Sequence, residues 1–386
     1  MFSARVSRWS LLPNRLTDRL AQLRASGAAI FDLTESNPTR AGFAYPEDEV
    51  RAALSGPHSL TYEPHPRGCA DARAAVAAYY GARGVAVDPD RVVLTASTSE
   101  AYGFLFKLLA DPGQAILTPQ PSYPLFEFLA GLESLEVRTY PLGYQGGWHL
   151  DLDALAGAAR APDVRAILVV SPGNPTGCFL KAPELAALRA LERPLIVDEV
   201  FADYAAGPDP ARVATVAGET GVLAFALSGL SKVCGLPQLK LGWIVVSGPD
   251  RARAAALERL DLIADTYLSV GTPVQAAAPR LLALAPALQE QIRMRLAKNH
   301  ATCRHALQGT PAQLLEAEGG WSAIVRLPRT RTEEEWALAL LEQDHVLAHP
   351  GYFFDFPEEA FLVVSLLTPE ATLAAGLDLL ARRVAE

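Results

Sequence analysis

VRAILVVSPGNPTGCFLKAPELAALRALERPLIVDEVF, residues 164–201, reads as strand, turn, helix, strand. VRAILVV and PLIVDEVF are short apolar runs rich in β-branched residues, the pattern of strands buried on both faces. Between them SPGNPTG forms a rigid Pro/Gly turn, and APELAALRALE has the length and apolar spacing of a helix. Apolar strands interleaved with helices imply a largely parallel sheet in a layered α/β fold.

The same alternation extends in both directions. RVVLTA (91–96), AILTPQ (115–120), VLAFALS (222–228) and LGWIVVSG (241–248) are further strand-like runs, and the segment after Ser97 reads as a helix through Phe104, Leu105, Leu108 and Leu109. Near the N-terminus, Leu16, Leu20 and Leu23 share one helical face, which Gly27 closes. IFDL (30–33) follows as a short extended run. After Pro279 a long helical stretch begins despite Pro286, and the tail returns to strands at WSAIVRL (321–327) and FLVVSLL (361–367). The expected fold is α/β, with a mostly parallel central sheet flanked by helices and a smaller α+β domain. Residues 45–280 would form the large domain, and residues 1–44 with 281–386 the small one.

Composition narrows the classes of function. The 386 residues are 50% hydrophobic and 20% charged, with a formal charge of −9. No basic tract supports a nucleic-acid partner, since phosphate neutralisation needs clustered Lys and Arg. No segment has the apolar length of a membrane span, and the N-terminus lacks the apolar core of a signal peptide. Cys69, Cys178, Cys234 and Cys303 form no CxxC pair, so neither a metal nor a disulfide framework is expected, and a cytoplasmic setting is. GxxxxGK[ST] and GxGxxG are both absent, which disfavours a nucleotide-binding enzyme. An SxxK nucleophile also fails, because Gly229 occupies the serine position.

Four polar clusters fall at the C-terminal ends of expected strands, where open α/β sheets bind ligands. TASTSEA (95–101) leaves backbone N–H groups at a helix N-terminus, suited to a phosphate or simply to capping that helix. SPGNPTG (171–177) fixes Asn174 on a turn beside the crevice. Asp198 ends a buried strand, where a carboxylate needs a cationic partner or solvent. SGLSKVCGLPQLKLGW (228–243) sets Lys232 beyond an apolar strand, and apolar surroundings or a nearby cation would free its amine as nucleophile and base. Each cluster alone also has a structural reading; their order along the chain makes them one pattern.

That pattern resembles the class I/II aminotransferases, the fold-type I pyridoxal-phosphate enzymes, over nearly the whole chain as far as HPGYFF (349–354). The resemblance implies pyridoxal 5'-phosphate as cofactor, held as a Schiff base on Lys232. Asp198 would pair with the pyridine nitrogen, Asn174 would donate to the phenolic oxygen, and Tyr123 would stack on the ring. Ser97, Thr98, Ser99, Ser231 and Lys240 would hold the phosphate. Lys240 stands where the family usually has an arginine, and so lacks the bidentate fork. Tyr62, ahead of Arg67 and Gly68, matches a tyrosine that reaches the phosphate of a neighbouring subunit, which implies a homodimer. The activity implied is movement of an amino group between an amino compound and an oxo acid. A carbon–sulfur β-lyase would share these cofactor residues, and a non-catalytic cofactor-binding regulator would need a further module.

Three positions depart from the family. Phe201 replaces a tyrosine that bonds the phenolic oxygen, unless Tyr204 reaches in. Gly229 replaces a phosphate-binding serine, for which Ser228 or Ser231 could compensate. Val363 stands where an arginine usually clamps the substrate carboxylate, and Ser36 and Asn37 replace the usual glycine-containing substrate loop. Either the substrate is held in an unusual way or another basic residue does the clamping, with Arg40 and Arg326 as candidates.

Overall fold

The computed structural model describes residues 2–7, 9 and 11–386. β1 (Phe31–Asp32) belongs with the C-terminal part of the chain. β2 (Val92–Thr95), β3 (Ala115–Gln120), β4 (Glu136–Tyr144), β5 (Trp148–Leu150), β6 (Val164–Val170), β7 (Leu195–Asp198), β8 (Ala224–Gly229) and β9 (Gly242–Ser247) build one sheet in the order β2-β9-β8-β7-β6-β3-β4-β5. Its centre, β8-β7-β6-β3-β4, is parallel throughout.

Side chains alternate across this sheet with the period of two that strands impose. Leu94, Leu117, Val169, Val197 and Val245 face one apolar layer, closed by helices such as Ala70–Ala82. Val93, Ile116, Leu168, Ile196 and Val246 face the other, closed by helices Thr98–Leu109, Leu125–Leu132 and Asp250–Tyr267. Coverage on both faces explains why these strands read as unbroken apolar runs.

Two features of the sheet differ from the expectation. LGWIVVSG forms β9, but β9 runs antiparallel to both β2 and β8, so the sheet is mixed. An apolar run carries no information about its direction. β4 and β5 had no counterpart in the sequence reading, because β4 contains Glu136, Arg138 and Pro141 and is buried fully only at Tyr140.

A second, smaller sheet orders β10 (Gln313–Leu314), β11 (Ser322–Arg326), β14 (Phe361–Ser365) and β13 (His349–Pro350), with every pairing antiparallel. β1 pairs in parallel with β12 (Val346–Leu347), which fastens the N-terminal segment to this region. Helix Arg15–Ala25 packs here too, capped by Asn14 as its amphipathic spacing anticipates. The long helix starts earlier than expected and runs from Thr272 to Leu307 through both Pro279 and Pro286. Val274, Ala277 and Leu281 pack under the large sheet, whereas Ile292, Leu296 and Leu307 pack in the core of the small one. Residue 280 lies inside this helix. Among the described residues no helix is long and apolar enough to cross a membrane.

Candidate active site

The C-terminal ends of the parallel strands open into a cavity of about 420 Å³, walled on its far side by the small sheet. Lys232 enters it from the short helix Leu230–Val233, directly after β8. Its Nζ lies 4.7 Å from the Trp321 ring centroid and 5.4 Å from that of Phe201. Burial lowers its pKa to about 8, against a smaller upward pull from Asp198. The backbone behind it is pinned: the Tyr204 hydroxyl donates to the Lys232 carbonyl at 2.6 Å, and Gln289 Nε2 donates to the Val233 carbonyl at 2.9 Å.

Asp198 ends β7 in the same cavity. Burial raises its pKa, while hydrogen bonds hold it back. The Tyr102 hydroxyl donates to Oδ2 at 2.6 Å, and the Val200 N–H donates to Oδ1 at 3.0 Å. Tyr102 was missed in the sequence. It lies one turn beyond Ser99 on the helix that TASTSEA opens, which is the only signal it gives.

Helix Thr98–Leu109 begins at the cavity wall. Ser97 caps it by accepting the Glu100 N–H at 3.1 Å, so the capping reading holds for that side chain. The Thr98 and Ser99 N–H groups precede the first intrahelical donor, the Ala101 N–H, and belong to the positive end of the helix dipole. Ser231 and Lys240 line the same cavity, and β9 brings this segment alongside: a Cβ on Gly242 would lie 3.1 Å from the Thr98 nitrogen.

Tyr123, Asn174, Phe201, Ser36 and Val363 also line the cavity, with Thr34, Trp321, Ser322 and His349 as residues the sequence did not single out for it. Asn174 Oδ1 accepts the Ser322 hydroxyl at 3.4 Å. Other candidates lie elsewhere. Asn37 turns its carboxamide oxygen to the Thr39 N–H and hydroxyl. Tyr62 is 73% exposed and lines a separate cleft with His65 and Leu268. Arg67 is held by Asp261. Arg40 lies 3.6 Å from Glu35, and Arg326 bonds Gln313; neither reaches the cavity. Tyr204 turns its hydroxyl away, to the Lys232 carbonyl, and so does not replace the donor lost at Phe201. The Ser228 hydroxyl is buried outside the cavity lining with no hydrogen-bond partner among the described residues, whereas Ser231 lines the cavity.

Gly229 departs for a steric reason. A Cβ there would sit 2.9 Å from the Leu241 carbonyl oxygen and 3.0 Å from Gly242 Cα, both backbone atoms of the neighbouring segment. No serine fits without moving β9.

Comparison with known proteins bears on the family and the fold. The sequence pattern of the family described as "Aminotransferase class I and II" matches residues 30–378. The tyrosine aminotransferase of Mus musculus is 27% identical over 403 aligned positions, spanning 96% of this chain and 86% of its own. A probable aminotransferase of Arabidopsis thaliana is 33% identical over 199, covering 50% of this chain and 48% of its own. The solved structure of alanine aminotransferase from Pyrococcus furiosus superposes with a TM-score of 0.89 at 23% identity, over 100% of this chain and 99% of its own, and so shares the fold. The family match spans both sheets and every wall of the cavity, and the chain belongs to the class I and II aminotransferases.

Proposed function

We propose that the cavity holds pyridoxal 5'-phosphate, attached through Lys232, and that the protein moves an amino group between an amino compound and an oxo acid. The observation that carries this is a buried lysine with a depressed pKa sharing one cavity with a buried carboxylate and a helix N-terminus. The residues suit that cofactor. Thr98 and Ser99, with Ser231 and Lys240, offer backbone N–H groups, a hydroxyl and a cation to a phosphate. Asp198 offers a carboxylate to a protonated ring nitrogen, Asn174 an amide, and Tyr123 a ring face.

When bound, that group supplies an electron-withdrawing ring for the electron pair left as the substrate carbon loses its proton. The chain's own work is acid–base and positional. Lys232 Nζ, partly unprotonated near neutrality, is placed to take the proton from the substrate carbon and pass it on. Phe201 and Trp321 keep water from it. Tyr102 holds the Asp198 carboxylate toward its ionised form. The relatives reported are aminotransferases, which supports amino transfer over lyase chemistry.

The exposed Tyr62 suits a homodimer in which the partner subunit's Tyr62 contributes to this cavity. Four unpaired cysteines suit a reducing compartment such as the cytoplasm.

Borohydride reduction of the protein incubated with pyridoxal phosphate should fix one cofactor on Lys232, read by peptide mass. Lys232→Ala should lose the adduct and at least ~10²–10⁴-fold in turnover. An adduct at another lysine, with Lys232→Ala still active, would overturn the assignment.

A further inference from the structure

The small-sheet wall of the cavity poses an unmet requirement. An oxo acid and an amino acid both bring a carboxylate, yet among the described residues lining the cavity the only Lys or Arg side chains are Lys232 and Lys240. Lys232 is the anchoring amine. Lys240 sits two residues before Gly242, at the end of the cavity where the helix N-terminus lies. Val363, 3% exposed, has nothing to offer a charge.

Its cross-strand neighbour does. In the antiparallel pair β13–β14, His349 is directly opposite Val363, so the two side chains stand side by side on one face, with Cβ atoms ~5 Å apart in such pairs. Both line the cavity, as does Ser36. The His349 ring packs against Phe353 and Phe354, with centroids at 5.6 and 6.0 Å. Neither the His349 ring nor the Ser36 hydroxyl has a hydrogen-bond partner among the described residues.

We propose that His349 is the specificity-determining residue that binds the carboxylate of the amino and oxo acid substrates, with Ser36 beside it, and that it does so as an imidazolium. This rests on the aminotransferase reading of the cavity. Unlike an arginine, an imidazole must take up a proton to serve. Burial holds the free ring below its ordinary value of 6.5, and Asp32 on β1 pulls the other way. The remaining charges around it are few. Arg24 lies 3.5 Å from Asp32, and Lys232 and Lys240 share the cavity. Helix Glu333–Gln343, packed on the same strand, brings Glu333, whose carboxylate accepts the Tyr352 N–H and is pushed up to about 7 by burial. An arriving carboxylate favours the charged ring, so binding carries a proton in with it.

The test uses the pyridoxal-phosphate-loaded protein and propionate, a carboxylate with no amino group to transfer. Calorimetric titration at pH 8 in two buffers of different ionisation enthalpy should show about one proton taken up per propionate bound. Propionate affinity should fall about tenfold per pH unit above the pKa of the free ring. His349→Gln should abolish the uptake and raise KM for oxo acids, leaving kcat less affected. His349→Arg should restore binding with no proton uptake and a flat pH profile. Propionate bound without a proton, or uptake unchanged in His349→Gln, overturns the inference while the loaded cofactor leaves the functional reading standing. A protein that takes up no pyridoxal phosphate overturns both.

Discussion

Lys232 owes its lowered pKa to the cost of burying an ammonium. Its folded pKa of about 8 lies below the ordinary 10.5, so between these values the unfolded chain holds a proton that the folded chain has released. Unfolding then takes up a proton, and stability rises with pH across that window. Below about 8 both states are charged, and the folded protein carries the full penalty, about 3 kcal/mol for a group this buried. Replacing Lys232 by Met should therefore stabilise the cofactor-free protein at neutral pH by an amount of that order. The gain should shrink toward pH 10.5. Denaturant unfolding of both proteins at several pH values would show it, and parallel pH profiles would refute it. The same penalty would favour the covalent attachment proposed for this amine.

At the scale of elements, the approach of β8 to β9 fixes what the cavity can contain beside the N-terminus of helix Thr98–Leu109. Gly229→Ser would drive a side chain into the Leu241 carbonyl and Gly242 Cα. It should destabilise the protein by ~1–3 kcal/mol, as overpacking does, and lower the melting temperature. A serine variant that melts unchanged would show that the two strands can part. The sequence announced such elements unevenly, for physical reasons. TASTSEA, SPGNPTG and the Lys232 block were legible because their order along the chain and their places at strand ends agree, although each alone also has a structural reading. β4 was not, because a half-exposed strand with Glu136, Arg138 and Pro141 has no apolar run to read. Tyr102 and His349 were invisible as site residues: each is a single side chain whose role depends on a partner far away in sequence. His349 acquires its meaning only from a strand register that sets it against Val363.

At the scale of the whole molecule, one chain leaves Tyr62 exposed and outside its own cavity. If the dimer proposed above forms, the sites depend on residues from two copies. Hybrids of Tyr62→Ala and Lys232→Ala subunits would then concentrate both defects in one site and leave the other intact. Mixing the two variants after dissociation should restore cofactor binding and activity, to about a quarter of wild type for random pairing if each parent is inactive. No recovery in verified hybrid dimers would mean that each cavity is complete within its own subunit.

The 36-residue helix Thr272–Leu307 is common property of two hydrophobic cores. Midway along it, Gln289 donates to the carbonyl of Val233, the residue after Lys232. A rod held in both cores thus has one of its middle side chains bonded to the segment that carries Lys232. The helix that joins the two cores therefore also holds in place the backbone beside Lys232.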